Sequence, residues 1–140
     1  MGEIKKVVVI GTGVLGSQIA FQTAYSGFDV IACDVSDDVL AKARLRLAAL
    51  VETYRKEVPG AVGGKEAEAI RRLTLSTDLA AAVADADLVI EAVPEVLAFK
   101  QAVYEQLATL APARTIFATN SSTLLPVSYT HLRAHETDSY

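Results

Sequence analysis

Two hydrophobic periods alternate along the chain. Lys5–Ile10 is a short β-branched run that stops at Gly11, the pattern of a buried strand. Val14 to about Ser26 follows the helical period and meets Gly27, a C-terminal stop. Asp29–Cys33 reads as a second strand. Ser36 followed by Asp37 and Asp38 is an N-cap with acidic first-turn residues. Leu40, Ala43, Leu47, Leu50 and Tyr54 then carry a helix to about Glu57. Pro59, Gly60, Gly63 and Gly64 mark a turn before a helix at Lys65–Arg72 and a strand at Leu73–Leu75. A short helix is expected over Asp78–Ala84, capped by Thr77 or Asp78. A strand over Leu88–Val93, ended by Pro94, a helix from Glu95 to Leu110 and a fifth strand at Thr115–Thr119 complete the pattern. Strands alternating with helices predict an α/β fold, a doubly wound parallel sheet covered on both faces.

Composition narrows the function classes. The 140 residues are 51% apolar and 21% charged, with a net charge of −4, which fits a globular domain and excludes intrinsic disorder. The acidic balance argues against nucleic acid as a partner. A single cysteine, Cys33, leaves no intramolecular disulfide and suits a reducing compartment. No window approaches the roughly 20 apolar residues that a bilayer span needs, so no membrane partner is expected. Val7–Ile10 is too short for a signal-peptide core, and Lys6 stands where a myristoylation signal at Gly2 wants Ser or Thr. These features predict a cytoplasmic protein.

The last residues differ in character. Both histidines, His131 and His135, fall there, and Val127–Thr137 shows neither hydrophobic period. This stretch resembles the peptide obtained by translating, in one frame, a transposase-type sequencing adapter. Residues 1–126 are therefore expected to be the native part, and 127–140 a foreign tail. A natural polar tail is the alternative, and the coding DNA separates the two.

Gly11-Thr-Gly13-Val-Leu-Gly16 lies between the first strand and the first helix, and Asp34 ends the second strand 18 residues beyond Gly16. In a dinucleotide-binding loop Gly11 permits the tight turn, Gly13 lets backbone approach a pyrophosphate, and Gly16 allows helix to pack closely on strand. The pyrophosphate then meets the free N–H groups of the helix N-terminus, at Val14 and Leu15. Asp34 would accept the adenosine ribose hydroxyls and repel a 2′-phosphate. With no Arg or Lys within the first residues that follow it, this favours NAD over NADP. Glycines serving only a turn, with Asp34 as a surface charge, are the structural alternative. No P-loop pattern is present, and no metal site is expected.

Together with this loop, Gly27-Phe-Asp-Val30, Asp87-Leu-Val-Ile-Glu-Ala-Val-Pro-Glu95, Lys100 and Phe117-Ala-Thr-Asn-Ser-Ser122 resemble the 3-hydroxyacyl-CoA dehydrogenases, in order across 1–126. The resemblance implies a Rossmann-type domain, incomplete at its C-terminal side, and NAD-dependent interconversion of 3-hydroxyacyl-CoA and 3-ketoacyl-CoA. It places Val93, Pro94, Glu95, Lys100 and Asn120 beside the cofactor, with Glu95 and Lys100 near the nicotinamide-side ribose. Ser122 matches the serine that hydrogen-bonds the reacting oxygen. Asn120-Ser-Ser-Thr stands where the family has Asn-Thr-Ser-Ser, a conservative change.

The family's general base, a histidine further along, has no counterpart here. His131 and His135 come too early and lack its apolar flanks. The chain is therefore expected to bind NAD without appreciable turnover, and the full-length protein to take an acyl-CoA and to dimerise through a C-terminal domain. A non-catalytic NAD-binding module, or another NAD-dependent 3-hydroxy acid dehydrogenase, are the competing readings. Cys33 reads as a small core residue. Glu91, in an apolar strand, needs a partner and reads as a structural hydrogen bond at the strand end.

Overall fold

The computed structural model describes residues 4–57, 64–92 and 105–119. Five parallel strands alternate with helices: β1 (Lys6–Ile10), α1 (Val14–Tyr25), β2 (Asp29–Cys33), α2 (Asp37–Glu57), α3 (Lys65–Arg71), β3 (Leu73–Ser76), α4 (Leu79–Val83), β4 (Leu88–Glu91) and β5 (Ile116–Thr119). Residues 105–110 are helical as well. The sheet order is β3-β2-β1-β4-β5, so the direction of winding reverses between β1 and β4. Every pairing is parallel, in the registers Ile10↔Cys33, Ile10↔Glu91, Cys33↔Ser76 and Glu91↔Thr119 at the carboxyl ends.

Strand periodicity sends alternate residues of β1 to opposite layers. Val7 and Val9 join Phe21, Tyr25, Val30 and Leu47 beneath α1, α2 and α3. Val8 and Ile10 join Cys33, Val83, Val89 and Leu107 on the other face. Both layers are apolar, which is why β1 reads as an unbroken hydrophobic run. Phe21 is fully buried, contributing about 1.5–3 kcal/mol by burial. Its ring stands edge-on to Tyr54 at 4.7 Å and ties α2 to α1.

The expected elements are present with small shifts of boundary. Ser36 caps α2, its Oγ accepting from the Val39 N–H at 3.3 Å, and α2 runs to Glu57 as its apolar period predicts. Gly27 takes φ +109° after α1, the left-handed conformation of a helix stop. β3 extends one residue past Leu75 because the Asp34 N–H donates to the Ser76 carbonyl. The cap of α4 is Asp78, which accepts from the Ala81 N–H, so the helix proper is Leu79–Val83. β5 starts at Ile116, one residue late, and the Thr115 hydroxyl donates to the Ala86 carbonyl. The strand expected to reach Val93 ends at Glu91, since Ala92 is described and is not strand. Val93 and the 95–104 part of the next helix lie outside the described residues. Among the described residues β5 forms one sheet edge, with Ile116 exposed, and no helix is long and apolar enough to cross a membrane.

Candidate functional site

In an all-parallel sheet the carboxyl ends of all strands open on one side, and ligands bind there at the point where the winding reverses. That point is the β1–β4 boundary. Gly11 leaves β1 with φ +101°, and its N–H donates to the Cys33 carbonyl at 2.8 Å. Ala92, directly after β4, donates to the Ile10 carbonyl at 2.8 Å. The glycine-rich loop is thereby held from both neighbouring strands.

Each glycine meets a different environment. A Cβ on Gly16 would stand 1.9 Å from the Gly11 carbonyl oxygen, so the first turn of α1 rests directly on the loop. A Cβ on Gly13 would meet nothing within 4 Å. Gly13 is the N-cap of α1, in extended conformation, and no acidic residue occupies the first turn. The amides at this end have no intrahelical acceptor and present partial positive charge to the open space. Val14 and Leu15 are 65% and 49% exposed, apolar surface at the same mouth. This loop fits a dinucleotide pyrophosphate: backbone donors, no carboxylate in the first turn, and room where a side chain would intrude.

Asp34 stands beside the loop. Its Oδ2 accepts from the Thr12 N–H at 2.7 Å and the Thr12 hydroxyl at 2.8 Å, and its Oδ1 from the Val35 N–H at 2.8 Å. Those donors take three of a carboxylate's roughly four acceptor sites and leave one for a ligand hydroxyl. Gly11, Gly13, Val14, Leu15, Gly16 and Asp34 thus come together as the sequence implies. Val93, Pro94, Glu95, Lys100, Asn120 and Ser122 lie outside the described residues.

Thr12, Ser17 and Arg46 were not marked by the motif. Thr12 is buried, and its carbonyl accepts from the Ser17 hydroxyl at 2.9 Å and from Arg46 Nη1 at 3.1 Å. A threonine between two glycines was the signal in the sequence, and its burial shows only in the fold. Arg46 gave none, because only the packing of α2 brings it back to the loop.

Glu91 is fully buried at the end of β4 and accepts from the Thr119 hydroxyl at 2.6 Å, a cross-strand bond at the register position. Among the described residues no group of three His, Cys, Asp or Glu is placed to hold a metal ion. Cys33 is buried, and burial, with the Asp78 and Asp34 charges behind it, pushes its thiol from 9.0 up to about 11. The raised value means less thiolate at any pH below it. At pH 8, iodoacetamide should label native Cys33 about a hundredfold more slowly than an exposed thiol, on thiolate fraction alone. Timed mass spectrometry checks this, and equal rates in buffer and in guanidinium would refute it.

Comparisons with known proteins agree with this geometry. Residues 6–137 match the family model described as 3-hydroxyacyl-CoA dehydrogenase, NAD binding domain, a span that includes most of the stretch set apart by composition. The chain is 36% identical over 125 residues to the mitochondrial hydroxyacyl-coenzyme A dehydrogenase of Rattus norvegicus, covering 86% of this chain and 40% of that protein. It superposes on a diketoreductase, described by its substrate-directed dual catalysis of dicarbonyl compounds, with a TM-score of 0.91 at 55% identity. That match covers 94% of this chain and 47% of the other. The 3-hydroxybutyryl-CoA dehydrogenase of Escherichia coli K12 gives a TM-score of 0.83 at 32% identity, covering 98% of this chain and 28% of that one. The chain therefore spans less than half the length of each protein it resembles here.

Proposed function

We propose that this chain, which belongs to the 3-hydroxyacyl-CoA dehydrogenase NAD-binding domain family, is the cofactor-binding part of an oxidoreductase that interconverts 3-hydroxyacyl-CoA and 3-ketoacyl-CoA. The observation that carries the reading is the loop at the β1–β4 boundary, open above Gly13 and flanked by Asp34. When bound, NAD supplies the nicotinamide ring that exchanges a hydride with the substrate carbon. The chain's own residues bind and orient. The N–H groups at Gly13, Val14 and Leu15 hold the pyrophosphate, and the remaining acceptor site of Asp34 takes a hydroxyl of the adenosine ribose. By family resemblance Val93, Pro94, Glu95, Lys100 and Asn120 line the nicotinamide side, and Ser122 donates to the reacting oxygen. Residues 1–126 form this cofactor half and 127–140 a non-native tail. In the whole protein a further domain supplies the base and the dimer contact, and the enzyme works in the cytoplasm on acyl-CoA.

The 55% identity to a diketoreductase favours a second reading of the substrate, a dicarbonyl compound reduced at one carbonyl with the same cofactor site. Titrating the 140-residue chain with NADH, followed by fluorescence, tests the cofactor reading. Saturable one-site binding is expected, and no saturation would sink it. Assaying the gene's longer product on 3-hydroxybutyryl-CoA and on a dicarbonyl separates the substrates, faster turnover of the thioester supporting the first.

A further inference from the structure

We infer that Thr12 is a specificity-determining residue for the cofactor, fixing Asp34 in the orientation that accepts a ribose hydroxyl and rejects a 2′-phosphate, and that Arg46 is a positioning residue that holds Thr12. The inference rests on the reading of Asp34 as the ribose acceptor and goes beyond it.

Thr12 makes a bond from every polar atom it has. Its N–H and its hydroxyl both donate to Asp34 Oδ2, at 2.7 and 2.8 Å. Two donors on one oxygen remove the freedom of a carboxylate to turn about its last torsion, which is otherwise broad and two-fold. Oδ1 accepts from the Val35 N–H, and the acceptor site that remains is the one assigned to the ribose hydroxyl. Hydrogen bonds to a carboxylate are the strong kind, and Thr12, which donates both, is itself 1% exposed. A carboxylate so fixed cannot swing away from a 2′-phosphate, so like-charge repulsion falls on that ligand in full.

The Thr12 carbonyl completes the clamp. Ser17 and Arg46 both donate to it, from α1 and from α2. Because the peptide is planar and trans, holding this carbonyl also sets the direction of the Gly13 N–H on the opposite side of the bond. Arg46 therefore acts on the loop through Thr12. It lies twelve residues beyond Asp34 in the chain, a cation near the adenosine end that could be mistaken for a 2′-phosphate receiver.

NADH and NADPH are titrated into the 140-residue chain and its Thr12→Val, Thr12→Ser, Asp34→Ala and Arg46→Ala variants, with a thermal melt of each. Thr12→Val should weaken NADH about tenfold while leaving NADPH within about twofold, narrowing the gap between them by an order of magnitude. Thr12→Ser, which keeps the hydroxyl, should restore wild-type NADH binding. Arg46→Ala should weaken both ligands alike. An unchanged NADH-to-NADPH ratio in Thr12→Val, or no restoration by Thr12→Ser, overturns the role of Thr12. A loss confined to NADPH in Arg46→Ala overturns the role of Arg46. If Thr12→Val does not fold, Thr12→Ala removes the same hydroxyl and carries the same expectations. Asp34→Ala is the control on the underlying reading: NADH binding unaffected by it means that Asp34 is not the ribose acceptor. Weakening by Asp34→Ala with none by Thr12→Val refutes the inference alone.

Discussion

Gly16→Ala is expected to lower the melting temperature by roughly 5–15 °C and to abolish NADH binding, whereas Gly13→Ala should melt like the wild type and still bind NADH about tenfold or more weakly. The contrast follows from what a methyl group meets. At Gly16 it would stand 1.9 Å from the Gly11 carbonyl oxygen and 2.8 Å from the Gly11 carbonyl carbon. Both are backbone atoms at the end of β1, pinned by the Gly11–Cys33 hydrogen bond, so no side chain can yield. Either α1 rises from the sheet or the loop is displaced. Overpacking of this kind costs about 1–3 kcal/mol and sometimes more.

At Gly13 the methyl enters open space, and the backbone, with φ −67° and ψ −162°, is one that any residue adopts. Folding is then untouched. The open space is, however, the approach of the pyrophosphate to the α1 amides, and NADH affinity should fall about tenfold or more. Differential scanning fluorimetry with and without NADH reads both effects. A Gly16→Ala protein that melts like wild type would refute the packing account, and a Gly13→Ala protein that keeps its NADH affinity would refute the cradle.

How much of this was legible depended on how local each feature is. The glycine loop, β1 and the α2 cap are written in neighbouring residues: a β-branched run into Gly11, and Ser36 before two aspartates. They needed no knowledge of the rest of the chain. Glu91 announced that it needs a partner, since a carboxylate in an apolar strand cannot stand alone. Which partner was not readable, because Thr119 faces it only through the β4–β5 register. The extension of β3 to Ser76 was hidden for the same reason, resting on a bond from the Asp34 amide across the sheet. Arg46 was the least accessible, because its place at the loop depends on how α2 packs and on a long side chain reaching back. Val93–Glu95, Lys100, Asn120 and Ser122 rest on resemblance, since they lie outside the described residues.

The 140-residue chain should bind NADH and yet turn over 3-hydroxybutyryl-CoA at no more than a hundredth to a ten-thousandth of the rate of the 3-hydroxybutyryl-CoA dehydrogenase of Escherichia coli, roughly what a positioned base contributes. Oxidising a secondary hydroxyl requires that its proton leave as the hydride does, so a group with a pKa near the working pH must touch that oxygen. Among the described residues there is no histidine. Two described carboxylates at the carboxyl ends of the strands already accept hydrogen bonds: Asp34 from Thr12 and Val35, with its remaining site assigned to the adenosine ribose, and Glu91 from Thr119. Ser122, read from resemblance, can donate to the reacting oxygen but is itself too weak a base to take its proton. The measurement is NADH appearance at 340 nm with 3-hydroxybutyryl-CoA and NAD, run on the chain and on that Escherichia coli enzyme at equal NADH-binding capacity. Turnover by the chain within tenfold of the Escherichia coli enzyme would mean that a base lies inside these 140 residues. His131 or His135 would then be the candidate, and the reading of 127–140 as a foreign tail would fall with the prediction. A histidine-free variant, His131→Ala with His135→Ala, that keeps whatever residual rate the chain shows would leave both assignments standing.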